Sequence, residues 1–259
     1  MTTHRDQSFV ASMMFTRSER EECYRAQFEI LRDWCPNWTP RLLVSDLAHA
    51  AFNAASGLWP ELRWLWCLFH LKKAVREKLV EKLSRPTSME PEEWAIGRRA
   101  IYQSAMHVLG EREAKDGTRQ IPASQEGFAT SLARVRDIMI AYQQIDLVHY
   151  WDTYVIGSNG ERVERWSMLN RVAYAREHRA LDFTVTELGR VKLPNMVVNN
   201  VYCEALFRYL KVITFKRVGG LRLERALEGL TRFFLRTSVK LAIHGHVAIV
   251  VVGAARAHA

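Results

Sequence analysis

Two short apolar segments, each followed by a helical pattern, constrain the fold of this chain more than any other feature. The first is Leu42–Ser45, which precedes Asp46 and a helix predicted over Leu47–Ser56. The second is Leu62–Cys67, which precedes a helix predicted over Phe69–Leu83. Apolar runs that alternate with helices at this spacing are typical of a parallel sheet covered by helices. The sequence therefore predicts an α/β layer in this region.

An additional strand and helix are predicted before this layer. Gln7–Phe15 is apolar and uncharged, which favours a strand. Ser18 precedes a run rich in glutamate, and this order predicts a helix over residues 19–34 with Ser18 as its N-cap. We interpret residues 7–83 as a partial α/β core. Helical spacing gives the first helix a buried stripe of Tyr24, Phe28, Leu31 and Trp34.

The pattern changes after Pro86, where helical periodicity continues with almost no strand signal. Pro91, followed by two glutamates, is typical of a first helical turn. Further helices are predicted over Ala123–Gln144 and Arg162–Arg179. We interpret residues 84–198 as an all-helical insertion into the α/β core.

Positive charge distinguishes the C-terminal part of the chain. The net charge is +9, and the segment from Glu204 onward holds ten Lys/Arg against three Asp/Glu. Such an excess suits a polyanion such as nucleic acid, and a solvated basic helix face is the alternative. A core helix and a basic helix are predicted over residues 199–241. Residues 242–259 are interpreted as a poorly ordered apolar tail.

Cysteine usage and hydropathy favour a soluble intracellular protein. The longest apolar run covers residues 247–255, which is shorter than the roughly 20 residues that a membrane-spanning helix needs. The N-terminus carries no secretory signal pattern. The spacing of the four cysteines does not suggest a disulfide framework: Cys23, Cys35, Cys67 and Cys203.

Polar residues at the ends of both predicted strands are candidates for chemistry. Asp46 follows the first strand, where it is either the N-cap of the next helix or a metal ligand. Cys67 and His70 follow the second strand at a spacing that could begin a zinc site. Because no second Cys/His pair at comparable spacing completes such a site, a buried cysteine and a locally bonded histidine are the alternative.

A third candidate is the segment NNVYCEALFRYLK, residues 199–211. Helical spacing brings Asn200, Glu204, Arg208 and Lys211 close to one face, while apolar residues supply the rest. An ordinary amphipathic helix with a solvated polar side is the alternative interpretation.

Taken in order, these motifs resemble the catalytic core of MULE-type (Mutator-like element) DDE transposases. The segment SDLAHAAFNA around Asp46 is similar to the family's strand that ends in its second acidic residue. The CLFH segment is similar to the strand that ends in C-x-x-H, and Glu204 follows after a helical insertion. The resemblance covers roughly residues 9–216, and it depends on several motifs occurring in the right order.

The resemblance implies an RNase H-like fold, with a mixed sheet between helices and a two-metal active site. Asp46 and Glu204 would be catalytic residues and ligands of Mg²⁺ or Mn²⁺, and Cys67 and His70 would be the family motif. A nuclear location, with the cytoplasm as the alternative, and a homodimeric assembly without membrane contact are further expectations. The partner would be DNA, contacted by Asn200, Arg208, Lys211, Lys216 and Arg217.

The sequence departs from the family at the first aspartate of the triad. Asp6 is the only acid before Phe9, and it lies beside the wrong strand. We therefore expect a core that lacks its first strands, weakened metal binding and little or no strand transfer by this chain alone. Two alternatives stay open: a domesticated remnant that binds DNA without cleaving it, and a helical protein-interaction protein.

Overall fold

The structure of the chain is a computed structural model, and it describes residues 15–16, 19–47, 49–110, 119–120, 124–177, 184–185, 190–193 and 255–256. Contacts divide the chain into two compact units. The first unit comprises Met1–Trp64 and Asn199–Ala259, and the second comprises Leu65–Val198.

The first helix of the first unit, α1, spans Glu21–Trp34. It begins two residues later than predicted, because residue 20 is extended (φ −80°, ψ 155°) and takes the cap position without a side-chain hydrogen bond. The predicted cap, Ser18, lies outside the described residues. Trp34 is 71% exposed, so its predicted burial is also wrong. The other residues of the predicted stripe are buried, as expected: Tyr24, Phe28 and Leu31.

Next come strand β2 (Leu42–Ser45), helix α2 (His49–Ser56) and strand β3 (Arg63–Trp66). This order confirms the predicted strand–helix–strand alternation. Strands β2 and β3 form a two-stranded sheet. The Arg63 N–H donates to the Arg41 carbonyl at 3.0 Å, which brings the starting ends of both strands together, as in a parallel pair.

Aromatic packing supports the first unit. Helices α1 and α2 contact each other. Trp59 packs edge-on against Phe28 of α1 and against Trp38, with ring centroids 5.8 Å and 5.4 Å apart. These large apolar surfaces supply much of the burial that stabilises so small a sheet. Strand β1 (Phe15–Thr16) pairs in parallel with β7 (Ala255–Arg256), and the rest of the predicted strand 7–15 lies outside the described residues.

The second unit is mostly helical. Helix α4 begins at Pro91 as predicted, and Ser124 caps α5 by accepting the Gly127 N–H at 3.0 Å. Helix α5 ends before residue 144 because Gln143 adopts a left-handed conformation (φ 57°) and a new helix follows. The helices are α3 (Leu68–Lys82), α4 (Pro91–Val108), α5 (Gln125–Ala141), α6 (Ile145–Tyr150), the π-helix Trp151–Ile156, α7 (Val163–Trp166) and α8 (Met168–Glu177).

A small antiparallel sheet in the second unit corrects the prediction of an all-helical insertion. Its order is β4 (Arg119–Gln120), β6 (Arg190–Lys192) and β5 (Thr184–Val185). Strand β6 is central, and Val191 is completely buried. The strands are two or three residues long, too short to give a recognisable alternation in the sequence.

The described residues thus combine a two-stranded β2–β3 sheet with a predominantly helical second unit. An RNase H-like core is not confirmed. The helices predicted within residues 199–241 lie outside the described part of the chain. None of the helices that the structure describes combines the length and apolar character required to cross a bilayer.

Candidate functional site at the end of strand β2

Asp46 follows directly on β2, whose last three residues are buried. Its own side chain is exposed, so a hydrophobic strand delivers a carboxylate to the solvent. Helix α2 begins at His49, three residues after Asp46. Residue 48, which directly precedes this helix, lies outside the described residues, so both interpretations of Asp46, as an N-cap and as a metal ligand, stay predictions.

Two hydrogen bonds, one buried and one partly buried, fix the main chain at Asp46. The Trp64 indole N–H donates to the Ser45 hydroxyl at 2.8 Å, and that hydroxyl donates to the Asp46 carbonyl at 2.9 Å. Phe52 stacks on the Trp64 ring at 4.7 Å, and His49 contacts it edge-on at 5.0 Å. Each hydrogen bond contributes about 1 kcal/mol of stability. Together they couple the end of β2 to β3 and α2.

The pKa of Tyr24 in α1 reflects the negative charge near the end of β2. Burial, together with the negative charges of Glu19 and Asp46, raises the pKa of the Tyr24 phenol to about 12. Desolvation and nearby carboxylates both disfavour the phenolate, so Tyr24 remains a neutral phenol at physiological pH. The end of β2 therefore lies in an electronegative environment to which at least two carboxylates contribute.

The C-x-x-H motif lies at the start of α3, in the second unit. Cys67 is completely buried and occupies the N-cap position without a side-chain cap hydrogen bond. His70 is partly buried and contacts Phe69 edge-on at 5.4 Å. Within the described residues, no three His, Cys, Asp or Glu side chains are grouped so that they could hold a metal ion.

A buried arginine stabilises the backbone just before this motif. Arg171 of α8 is completely buried, and its guanidinium donates to the carbonyls of Trp66 and Trp166. The Trp66 carbonyl terminates β3, so Arg171 fixes the strand end from which Cys67 follows. No local pattern around Arg171 predicts this contact, because an arginine in a helix ordinarily faces solvent.

The remaining predicted site residues lie outside the part of the chain that the structure describes. The pairing of Asp46 with the predicted third acid therefore stays a prediction, as do the predicted DNA contacts. These residues are Glu204, Asn200, Arg208, Lys211, Lys216 and Arg217.

Comparison with protein families matches residues 1–74 to the MULE transposase domain. The match covers β2, Asp46, β3 and the C-x-x-H motif, and it ends within α3. Comparisons with curated proteins and with solved structures give no significant match. The family resemblance is thereby confirmed over this stretch, where the chain is similar to a MULE-type transposase domain.

Proposed function

We propose that the chain is a transposase-type DNA-binding protein in which Asp46 marks the ancestral catalytic centre. The observation that carries the proposal is the MULE transposase match over residues 1–74, since that match contains the strand that delivers Asp46 to solvent. Transposases of this kind act on DNA, and the net charge of +9 suits the same polyanion.

The chemistry of Asp46 fits one ligand of a hard divalent cation. Mg²⁺ and Mn²⁺ prefer carboxylate oxygens held at fixed positions, and the Trp64–Ser45 hydrogen bonds hold the backbone of Asp46 in place. The described residues do not by themselves complete a metal site. In the proposal Glu204 is the second ligand. Bound ions would stabilise charge on a phosphodiester during cleavage.

The basic C-terminal segment is proposed as a sequence-independent DNA contact. Lys and Arg side chains there neutralise phosphates and release counterions, which makes binding sensitive to salt. A nuclear location and a homodimer belong to the same proposal. The DNA contacts are assigned to Asn200, Arg208, Lys211, Lys216 and Arg217.

A plasmid assay tests the proposal in two steps. Retention of supercoiled plasmid is measured at low and at high salt, and Mn²⁺-dependent nicking is measured in the same samples. We expect salt-sensitive retention by the wild-type chain. Any nicking should disappear in Asp46→Asn and in Glu204→Gln. The matched control is Asp33→Asn, because Asp33 is an exposed aspartate on α1 with a side chain 74% accessible.

The outcomes separate the candidate functions. Nicking that depends on Asp46 would establish an active enzyme, and retention without nicking would establish a non-catalytic DNA-binding module. No retention at either salt concentration would contradict the proposal and favour a protein-interaction role. Equal loss of nicking in Asp33→Asn would show that nicking does not depend specifically on the Asp46 carboxylate.

A further inference from the structure

A cleft of about 340 Å³ lies between helices α4 and α5 of the second unit. The two helices approach closely where Gly97 of α4 faces the Tyr142 ring, and the cleft lies beyond that contact along both helices. Its described lining residues fall within 102–108 of α4 and 131–134 of α5. Ligand-binding clefts in proteins measure roughly 300–1,000 Å³, so a small molecule fits here without displacing a described side chain. We call it the α4–α5 cleft.

Buried apolar side chains form the base of the cleft, and exposed polar side chains surround that base. Met106 and Val108 of α4 are buried. The exposed polar residues that line the cleft are Tyr102, Gln103 and His107 of α4 and Arg134 of α5. An apolar base with a small number of polar groups around it is the usual composition of a site for a small molecule.

Arg134 gives the cleft a positive charge. Among the described lining residues it carries the only permanent charge, and none of them is acidic. Within the described part of the chain its guanidinium makes no hydrogen bond or ion pair, although Asp137 lies one turn further along α5. Arg136 on the same helix differs, because it bonds the Asp152 carboxylate at 3.0 Å. The five N–H donors of Arg134 are therefore available to an anion.

Neutral donors beside this cation favour a phosphate as the anion. The Tyr102 hydroxyl, the Gln103 amide and the His107 ring can each donate a hydrogen bond. The Ser131 hydroxyl already donates to the Gly127 carbonyl at 2.9 Å, so it can serve a ligand only as an acceptor. A phosphate group offers three strong acceptor oxygens, whereas a carboxylate offers two, so several donors around one arginine suit the phosphate better.

We propose that the α4–α5 cleft binds a small phosphorylated molecule of about mononucleotide size, with its phosphate on Arg134 and its organic part over Met106 and Val108. The backbone of duplex DNA can bring a phosphate to Arg134, but its convex surface would leave the apolar base uncovered. A free phosphate ester satisfies both parts of the cleft. The site lies beyond the family match, which ends at residue 74, and it does not depend on the DNA-binding function proposed above.

Isothermal titration calorimetry of the full chain with adenosine 5′-monophosphate (AMP) tests the site. Adenosine and inorganic phosphate are the matched halves of this probe, and each should bind at least about tenfold more weakly than AMP. Arg134→Gln should weaken AMP binding at least about tenfold, because charge-assisted hydrogen bonds are lost. Ser131→Leu keeps the charge but fills the cleft, and it should weaken AMP binding to the same extent. Thermal denaturation checks that both variants are folded.

Arg176→Gln is the matched control, because Arg176 is an exposed arginine on α8 and its replacement removes the same charge. This variant should bind AMP as the wild type does. Three results would overturn the inference: wild-type affinity in Arg134→Gln, an equal loss in Arg176→Gln, or no binding of either AMP or glucose 6-phosphate at millimolar concentration.

Duplex DNA, added as a competitor, distinguishes the two sources of phosphate. Duplex that displaces AMP and loses affinity in both Arg134→Gln and Ser131→Leu would assign the cleft to a DNA phosphate and overturn the small-molecule proposal. Plasmid retention without AMP binding would overturn the cleft inference and leave the proposed function intact. AMP binding that depends on Arg134, without plasmid retention, would support the cleft and contradict the transposase-type function.

Discussion

The end of β2 and the π-helix Trp151–Ile156 each expose one polar side chain, Asp46 and Tyr154, on an ordered support, but the supports are of different kinds. At β2 the order comes from a buried strand and from two linked hydrogen bonds, from Trp64 to the Ser45 hydroxyl and from that hydroxyl to the Asp46 carbonyl. At the π-helix it comes from Tyr150, which stacks on Tyr154, and from Arg162, which lies over both Tyr154 and the distant Trp66. The first kind follows local sequence patterns, and the second depends on how helices pack.

Two glycines, one in each unit, differ in how closely neighbouring side chains approach them. In the second unit, a Cβ at Gly97 of α4 would overlap the Tyr142 ring. In the first unit, a Cβ at Gly57 would meet the Arg25 guanidinium at 3.0 Å, and a flexible side chain can move away. Gly97 therefore tolerates an added methyl group less well than Gly57 does.

Gly97→Ala should give the largest stability loss of the variants considered for this comparison. We expect the free energy of unfolding to fall by about 2 kcal/mol, because the ring or the helix must shift. Gly57→Ala should change it by less than about 0.5 kcal/mol. Urea denaturation measures both, and equal effects of the two substitutions would contradict the packing that distinguishes these positions.

Trp64→Phe tests the support at the end of β2. The substitution keeps the ring between Phe52 and His49 but removes the donor to the Ser45 hydroxyl. We expect a loss of about 1 kcal/mol in the free energy of unfolding. Trp34→Phe is the control, since Trp34 is 71% exposed and should be neutral. A neutral Trp64→Phe would show that the hydrogen bond does not stabilise this strand end.

The smallest effect is expected from Tyr24→Phe, and it should depend on pH. The pKa of Tyr24 is raised from 10.0 to about 12 by burial and by Glu19 and Asp46. Because this pKa is higher in the folded protein than in the unfolded chain, the stabilising contribution of the neutral Tyr24 phenol is complete below pH 10. That contribution is lost as the pH rises towards 12.

The wild type should therefore lose up to about 1 kcal/mol relative to Tyr24→Phe between about pH 9 and pH 11. Denaturation midpoints at both pH values measure the difference. Parallel curves for the two proteins would contradict the electronegative environment inferred at the end of β2.

Local patterns predicted the parts of the fold that depend on neighbouring residues. The order β2–α2–β3–α3 and the start of α4 at Pro91 follow from hydrophobic period and proline position. Asp46 was identified because it ends an apolar run. The start of α1 was missed because Ser18 is a preferred N-cap residue, whereas the observed cap position holds an arginine that makes no side-chain cap hydrogen bond.

Contacts between distant residues could not be predicted. Arg171 bonds the Trp66 carbonyl across 105 residues, and Arg162 lies over Trp66 in the same unit. The residues near each arginine in the sequence do not predict that Arg171 contacts a carbonyl or that Arg162 contacts a ring. The three-stranded sheet was missed for the same reason, since β4 and β6 are widely separated and very short.

The central claim is that the end of β2 presents Asp46 as a ligand for a divalent ion in a DNA-binding protein. Electron paramagnetic resonance of Mn²⁺ titrated into the full chain in the presence of DNA tests it most directly. We predict that Asp46→Asn weakens Mn²⁺ binding at least about tenfold, while Asp33→Asn binds as the wild type does. Equal Mn²⁺ affinity in the wild type and Asp46→Asn would contradict the claim.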